Sequence, residues 1–145
     1  MYKHVLIPTD GSDLSSNAEA AGLTLARTLD AKATALTVTQ PFQLIGTEPM
    51  MLAASEPEYE KAQAARAEKT LERVRATAAA IGVPVETVRA VSPHPFEAII
   101  ATAKERGCDL IFMASHGRRG VAGLILGSET AKVLTHSKIP VLVYR

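Results

Sequence analysis

Apolar residues first gather at Val5-Leu6-Ile7, and the polar turn Pro8-Thr9-Asp10-Gly11-Ser12 follows at once. A short apolar run bounded by turn residues reads as a buried strand. After Ser12 the period changes. Leu14, Ala18, Ala21, Leu25 and Leu29 recur at helical spacing, and the Ser12 hydroxyl is suited to cap the helix start. Ser16-x-x-Glu19 also matches a capping box, but a start there discards Leu14, so the earlier start is preferred. Thr34 to Thr39 is rich in β-branched residues and predicts the second strand. Gln40 to Ala54 holds Pro41, Gly46 and Pro49 with no period, which predicts a long, mobile loop. Ser55-x-x-Glu58 with Pro57 opens the next helix; Leu71, Val74, Ala78 and Ile81 form its stripe, and Gly82 ends it. Val83 to Val91 alternates and carries Pro84, as an edge strand does. Phe96, Ile99, Ile100 and Ala103 define a third helix closed by Gly107. Leu110-Ile111-Phe112-Met113 is apolar throughout, the pattern of a central parallel strand buried on both faces. A glycine-bearing loop, a helix over Ser128 to His136 and a strand over Ile139 to Tyr144 complete the chain.

The order βαβαβαβαβ implies an α/β fold: an open five-stranded parallel sheet with helices on both faces, Rossmann-like, in one domain over 1–145. Right-handed crossovers, an edge-like third strand and buried first and fourth strands favour the order 3-2-1-4-5. Ligands in such sheets bind beyond the carboxyl ends of the strands at the switch point, here between strands one and four. The loops after Thr9 and after Met113 are therefore expected to form the site.

Composition narrows the function. No apolar run approaches the roughly 18 residues that a membrane span needs. The start, Met1 to Pro8, lacks the apolar stretch and cleavage site of a secretory signal. The single cysteine, Cys108, excludes an intramolecular disulfide framework and reads as a small packed residue rather than a nucleophile. The expectation is a cytoplasmic protein with no membrane partner. Sixteen basic residues against 15 acidic ones argue against nucleic-acid binding, as does the absence of tryptophan. Charge is uneven, however: Ala114 to Arg145 holds Arg118, Arg119, Lys132, Lys138 and Arg145 against Glu129 alone. A local positive excess in a neutral chain suits a small anion.

The second candidate loop runs Ala114-Ser115-His116-Gly117-Arg118-Arg119-Gly120 to Gly127-Ser128. Gly127-Ser128 opens a helix whose free N–H groups and positive dipole end suit a phosphate. Gly117 lets the backbone approach that phosphate, and Ser128 is placed to cap the helix and donate to an anion. No GxG follows the first strand and no Gly-Lys-Ser/Thr follows the glycines, so neither a dinucleotide fingerprint nor a P-loop is present. A receiver aspartate has no place after strand three, which ends in Ser92-Pro93. Ser12, His116 and Asp10 hold the residue types of a hydrolase triad without a G-x-S-x-G elbow. Asp10-x-x-Asp13 is a weak metal pair; His4, His94 and His136 read as structural or exposed; Met50 and Met51 read as loop filler or a lid.

Pro8-Thr9-Asp10-Gly11-Ser12, Ser115-His116-Gly117-Arg118-Arg119-Gly120, and Gly127-Ser128 followed by a helix and Ile139-Pro140-Val141-Leu142-Val143 together resemble the universal stress protein family over essentially the whole chain. Its ATP-binding branch has Gly-x-x-Gly, nine residues, then Gly-Ser or Gly-Thr. Here Ala114 replaces the first glycine, while Gly117, Gly127 and Ser128 match at the right spacing. The resemblance implies an adenine nucleotide (ATP, or AMP or ADP) bound with Mg²⁺. Asp10 would meet the ribose or the nucleotide's Mg²⁺, with no metal site of the protein's own. Thr9, beside Pro8, and Val38 would offer backbone to adenine. Gly117, Gly127 and Ser128, with Glu129 and Thr130 in the helix's first turn, would hold phosphates, and Arg118 and Arg119 would cover them. It also implies a homodimer through the last strand, Ile139, Val141, Leu142, Val143 and Tyr144, whose apolar edge needs a partner. The expected function is a stress-response protein that signals by nucleotide occupancy. The rivals are a slow ATPase, for which His116 is the only nearby base, and a nucleotide-free interaction protein of the same fold.

Overall fold

A computed structural model describes residues 1–42, 55–116 and 126–145. The loop expected over 40–54 lies outside these from residue 43 onward, and so do Met50 and Met51. The elements are β1 (His4–Pro8), α1 (Asp13–Thr28), β2 (Lys32–Thr39), α2 (Glu56–Ile81), β3 (Val85–Val91), α3 (Pro95–Glu105), β4 (Leu110–Ala114), α4 (Ser128–His136) and β5 (Val141–Tyr144). The strands form one parallel sheet in the order β3-β2-β1-β4-β5, as the alternation predicted.

Alternation along each central strand feeds two cores. Val5 and Ile7 of β1 and Leu110 and Phe112 of β4 meet Leu23 of α1 and Val74 of α2 on one face. Leu6, Ile111 and Met113 meet Ile99 of α3 and Val133 of α4 on the other. β1 and β4 are central because both of their faces must be covered, which is why they read as unbroken apolar runs.

The caps follow the local chemistry. Ser12 caps α1 by accepting the Ser15 N–H at 3.2 Å, so the earlier start holds and the Ser16 box is unused. Ser55 caps α2 through the Glu58 N–H at 3.3 Å. Gly82 ends α2 in the left-handed region, φ +83°, a conformation that a Cβ disfavours. Val83 belongs to that C-cap rather than to β3: its N–H donates to Ala78 O, and its side chain is buried in the first core.

Other boundaries move as well. β2 starts at Lys32, two residues before the β-branched run, because it pairs with β1 from His4 onward. α3 starts at Pro95, whose fixed φ suits the first helical position. β5 starts at Val141, since Ser137 Oγ binds both the N–H and the carbonyl of Ile139 and holds that residue in a turn.

Candidate functional site

At the carboxyl ends of the strands the loop after β1 turns sharply. Gly11 has φ +82°, and Asp10 Oδ1 accepts the Ser12 N–H at 3.0 Å and the Ser15 hydroxyl at 2.7 Å. Asp10 is thus oriented by its own loop and by α1. Thr9 is buried; its N–H is committed to Leu36 O at 2.8 Å, so its backbone contribution to a ligand is confined to the carbonyl.

Opposite, β4 runs through Ala114 into Ser115 and His116. Gly127 N–H donates to Ser115 O at 2.7 Å, which docks the start of α4 on the end of β4. A Cβ at Gly127 would stand 3.0 Å from Ser115 O and 3.2 Å from His116 Cα, so the close approach needs glycine. Gly127, not Ser128, is the N-cap of α4: its carbonyl takes the first helical bond, from Ala131 N–H at 2.9 Å. Ser128 is already inside the helix, and its side chain forms no cap. The N–H groups of Ser128, Glu129 and Thr130 precede the helical ladder, the usual condition for holding an anion.

Between these loops lies a cleft of about 470 Å³. Its polar lining includes Asp10, Ser128 and the first turn of α4; its apolar lining includes Leu36, Val38, Pro93, Pro95, Ile99 and Met113. Of the residues expected at the site, Pro8, Thr9, Asp10, Val38, Ala114, His116, Gly127, Ser128, Glu129 and Thr130 all line this cleft. Gly117, Arg118, Arg119 and Gly120 lie outside the described residues.

Several expected roles change in kind. Ser115 does not line the cleft: its N–H donates to Tyr144 O, its carbonyl accepts Gly127 N–H, and its hydroxyl pairs with His116 Nδ1 at 2.9 Å. It ties β4, β5 and α4 together. The Glu129 carboxylate is engaged within the protein, accepting Phe96 N–H at 3.0 Å and Lys132 Nζ at 3.2 Å. It caps α3, whose own N-cap, His94, supplies no side-chain bond. The Thr130 hydroxyl donates to Ala114 O at 3.0 Å. Glu129 and Thr130 therefore have only backbone N–H groups to offer a ligand. The Ala114 side chain is buried in the α1/α2-side core with Phe112, so the methyl that replaces the motif glycine is housed by the fold.

No hydrolase triad forms. Ser12 is occupied as a helix cap and His116 pairs with Ser115. Asp13 is exposed on α1, and no group of three or more His, Cys, Asp and Glu side chains with metal-binding geometry occurs among the described residues. His94 and His136 are both brought to Phe96, with ring centroids at 6.5 and 5.3 Å. Burial pushes the Cys108 thiol up to about 11 and Asp109 adds to the shift, which leaves it inert at neutral pH.

Sequence reasoning missed the apolar wall from Leu36, Pro93, Pro95, Ile99 and Met113, and it missed Ser15. The signal for Pro93 and Pro95 was their place at the carboxyl end of β3, a strand end on the same side of the sheet as the switch point.

On the expected β5 interface, Ile139 and Val141 pack against the protein's own α3/α4-side core, while Leu142 and Tyr144 are 38% and 36% exposed.

The family model described as "Universal stress protein family" matches residues 1–145. A universal stress protein of Thermus aquaticus, from the QAH/OAS sulfhydrylase 3′ region, is 36% identical over 146 residues and covers 100% of both chains. Universal stress protein UspA from Lactobacillus plantarum superposes with TM-score 0.84 at 26% identity, covering 99% of this chain and 98% of its own. A universal stress protein in complex with cAMP superposes with TM-score 0.74 at 29% identity, covering 99% and 97%.

Proposed function

Because this chain belongs to the universal stress protein family, we propose that it is a cytoplasmic stress-response protein that binds ATP, or another adenine nucleotide, in the cleft between the ends of β1 and β4. The observation that carries the reading is the pairing of an apolar slot with the start of α4. Val38, Pro93, Pro95 and Ile99 offer flat, apolar surface for a purine, and Ser128, Glu129 and Thr130 present N–H groups for a phosphate at the other end. Asp10 lines the same cleft, where its carboxylate would be offered to the ribose. The relative solved with cAMP supports the same ligand class. Mg²⁺ would arrive with the nucleotide and neutralise phosphate charge; the protein contributes Asp10 beside it.

Calorimetry with ATP and Mg²⁺ tests the reading. The wild type binds, and Gly127→Val with Ser128→Ala abolishes binding; equal affinity in both proteins would sink the site. Hydrolysis is expected to be absent or very slow, because His116 Nδ1 pairs with the Ser115 hydroxyl rather than with a carboxylate that would make the imidazole a stronger base. A turnover of about 1 s⁻¹ or more, lost in His116→Ala, would establish an enzyme instead.

The protein works as a homodimer on this reading, joined along β5. β5 lies at the edge of the sheet and leaves Leu142 and Tyr144 exposed, which supports pairing with a second copy. Because Val141 packs on the protein's own core, the informative variant is Leu142→Lys with Tyr144→Lys rather than a change at Val141. Light scattering should give a dimer for wild type and a folded monomer for the variant; a monomeric wild type, or a variant that remains a dimer, refutes it.

A further inference from the structure

The α1/α2-side core is apolar, and α1 brings one buried acidic side chain to it. Glu19 of α1 is 1% exposed, yet it is a carboxylate. An ionised carboxylate this deep is costly unless it is paired and hydrogen-bonded, and it has found three-way company. Thr9 donates its hydroxyl to Glu19 Oε1, and Arg73 of α2 donates Nη2 to the same oxygen at 2.6 Å. The other terminal nitrogen of Arg73 donates to Gly11 O at 3.3 Å. Gly11 N–H in turn donates to Thr9 Oγ1 at 3.3 Å.

Thr9 and Gly11 are the two neighbours of Asp10. Both are held by the same ion pair, one through a side chain and one through a carbonyl. The planar guanidinium suits this arrangement because it reaches two acceptors in a fixed fork, which an ammonium cannot do. Neither Glu19 nor Arg73 lines the cleft.

We propose that Glu19 and Arg73 are a positioning pair for the site: they clasp the Thr9–Gly11 turn so that Asp10 faces the cleft, and they make the shape of the site depend on the docking of α2. The clasp deepens the nucleotide reading and rests on it for its ligand. The pair acts through Thr9 and Gly11 and does not touch the ligand itself. A carboxylate kept beside an apolar core is explained by this work on the loop, since apolar side chains would fill the same volume without the cost of burying charge.

The test uses the full chain with Glu19→Gln and Arg73→Lys, each of which keeps most of the side-chain volume. Two readouts are taken. The first is amide hydrogen exchange at Gly11 and Ser12, whose N–H bonds exist only while the turn is held, compared with exchange in β1 and β4. The second is calorimetry with AMP as the probe. Both variants should keep protection in β1 and β4, speed exchange at Gly11 and Ser12 by about tenfold or more, and weaken AMP binding by about tenfold, equivalent to roughly 1.4 kcal/mol. Unchanged exchange at Gly11 and Ser12 overturns the clasp. So does an equal rise in β1 and β4, which would make the pair a support for the core alone. A loosened turn with unaltered AMP affinity overturns its role in positioning. A wild type that binds no AMP counts against the nucleotide reading, and the exchange readout then decides the clasp by itself.

Discussion

Replacing Gly127 by alanine isolates one contact. The residue sits at φ −59°, ψ 150°, a conformation open to any amino acid, so no backbone strain is involved. Taken alone, the exchange would stabilise by about 0.4–1 kcal/mol, because alanine has less freedom to lose on folding. Against this stands the added methyl, 3.0 Å from Ser115 O and 3.2 Å from His116 Cα. Both neighbours are main chain, and neither can swing aside. Relieving such overpacking costs about 1–3 kcal/mol. The movement that relieves it stretches the 2.7 Å bond from Gly127 N–H to Ser115 O, and weakening a buried bond costs up to about 1 kcal/mol more. The packing side wins, with a net loss of about 1–3 kcal/mol. In a chain of this size that lowers Tm by roughly 3–12 °C. The same displacement moves the first N–H groups of α4 away from the end of β4, so affinity for AMP should fall by about tenfold or more, or roughly 1.4 kcal/mol. Calorimetric melting and titration on purified protein measure both effects. A Gly127→Ala protein that melts at or above the wild-type temperature would show that the gain in backbone entropy outweighs the contact, and that the docking of α4 tolerates a methyl group.

Other changes have equally direct readouts. Glu129→Ala removes the acceptor of Phe96 N–H at the start of α3 and should cost about 1 kcal/mol in urea unfolding, as loss of a helix cap does; an unchanged midpoint would mean that solvent replaces the bond at no cost. Cys108, buried with its thiol pushed up to about 11, should resist a disulfide reagent in the folded protein at pH 8 and react at once in denaturant; rapid reaction in the folded state would contradict its burial. Burial, helped by nearby Lys32, holds His4 below its usual value. The unfolded chain therefore takes up that proton at higher pH, and the stabilisation present above about 6.5 is lost as pH falls below it. His4→Gln should flatten the decline in the urea midpoint between neutral and mildly acidic pH, and an unaltered slope would place the proton uptake elsewhere.

Local patterns carried most of the architecture. Val5 to Ile7 and Leu110 to Met113 are apolar at every position, and only strands covered on both faces require that; hence β1 and β4 are central. Ser12, Ser55 and Gly82 marked helix ends because a cap is made by residues within a few positions of one another. Gly127-Ser128 before a helical stretch was enough to place the start of α4, which lines the cleft. It was not enough to divide labour within it, since whether glycine or serine occupies the N-cap depends on how close α4 comes to Ser115 and His116.

What the sequence by itself determined was the order and type of the elements, the strand order, the strand ends that border the cleft and the family to which the chain belongs. These rest on periodicity, caps and motif spacing, all of which are short-range properties of the chain. Only the tertiary structure decided what the polar side chains near the site do. Glu19 read as half of an unused capping box until α2 brought Arg73 to it across 54 positions. The Glu129 carboxylate had no partner in the sequence until α3 presented Phe96 N–H from 33 positions away. Val141 gained its packing only when β4 and the α3/α4-side core were brought beside it. A polar group takes its role from the partner that satisfies it, and in a parallel sheet, where each neighbouring strand is reached through a crossover, those partners are remote in sequence.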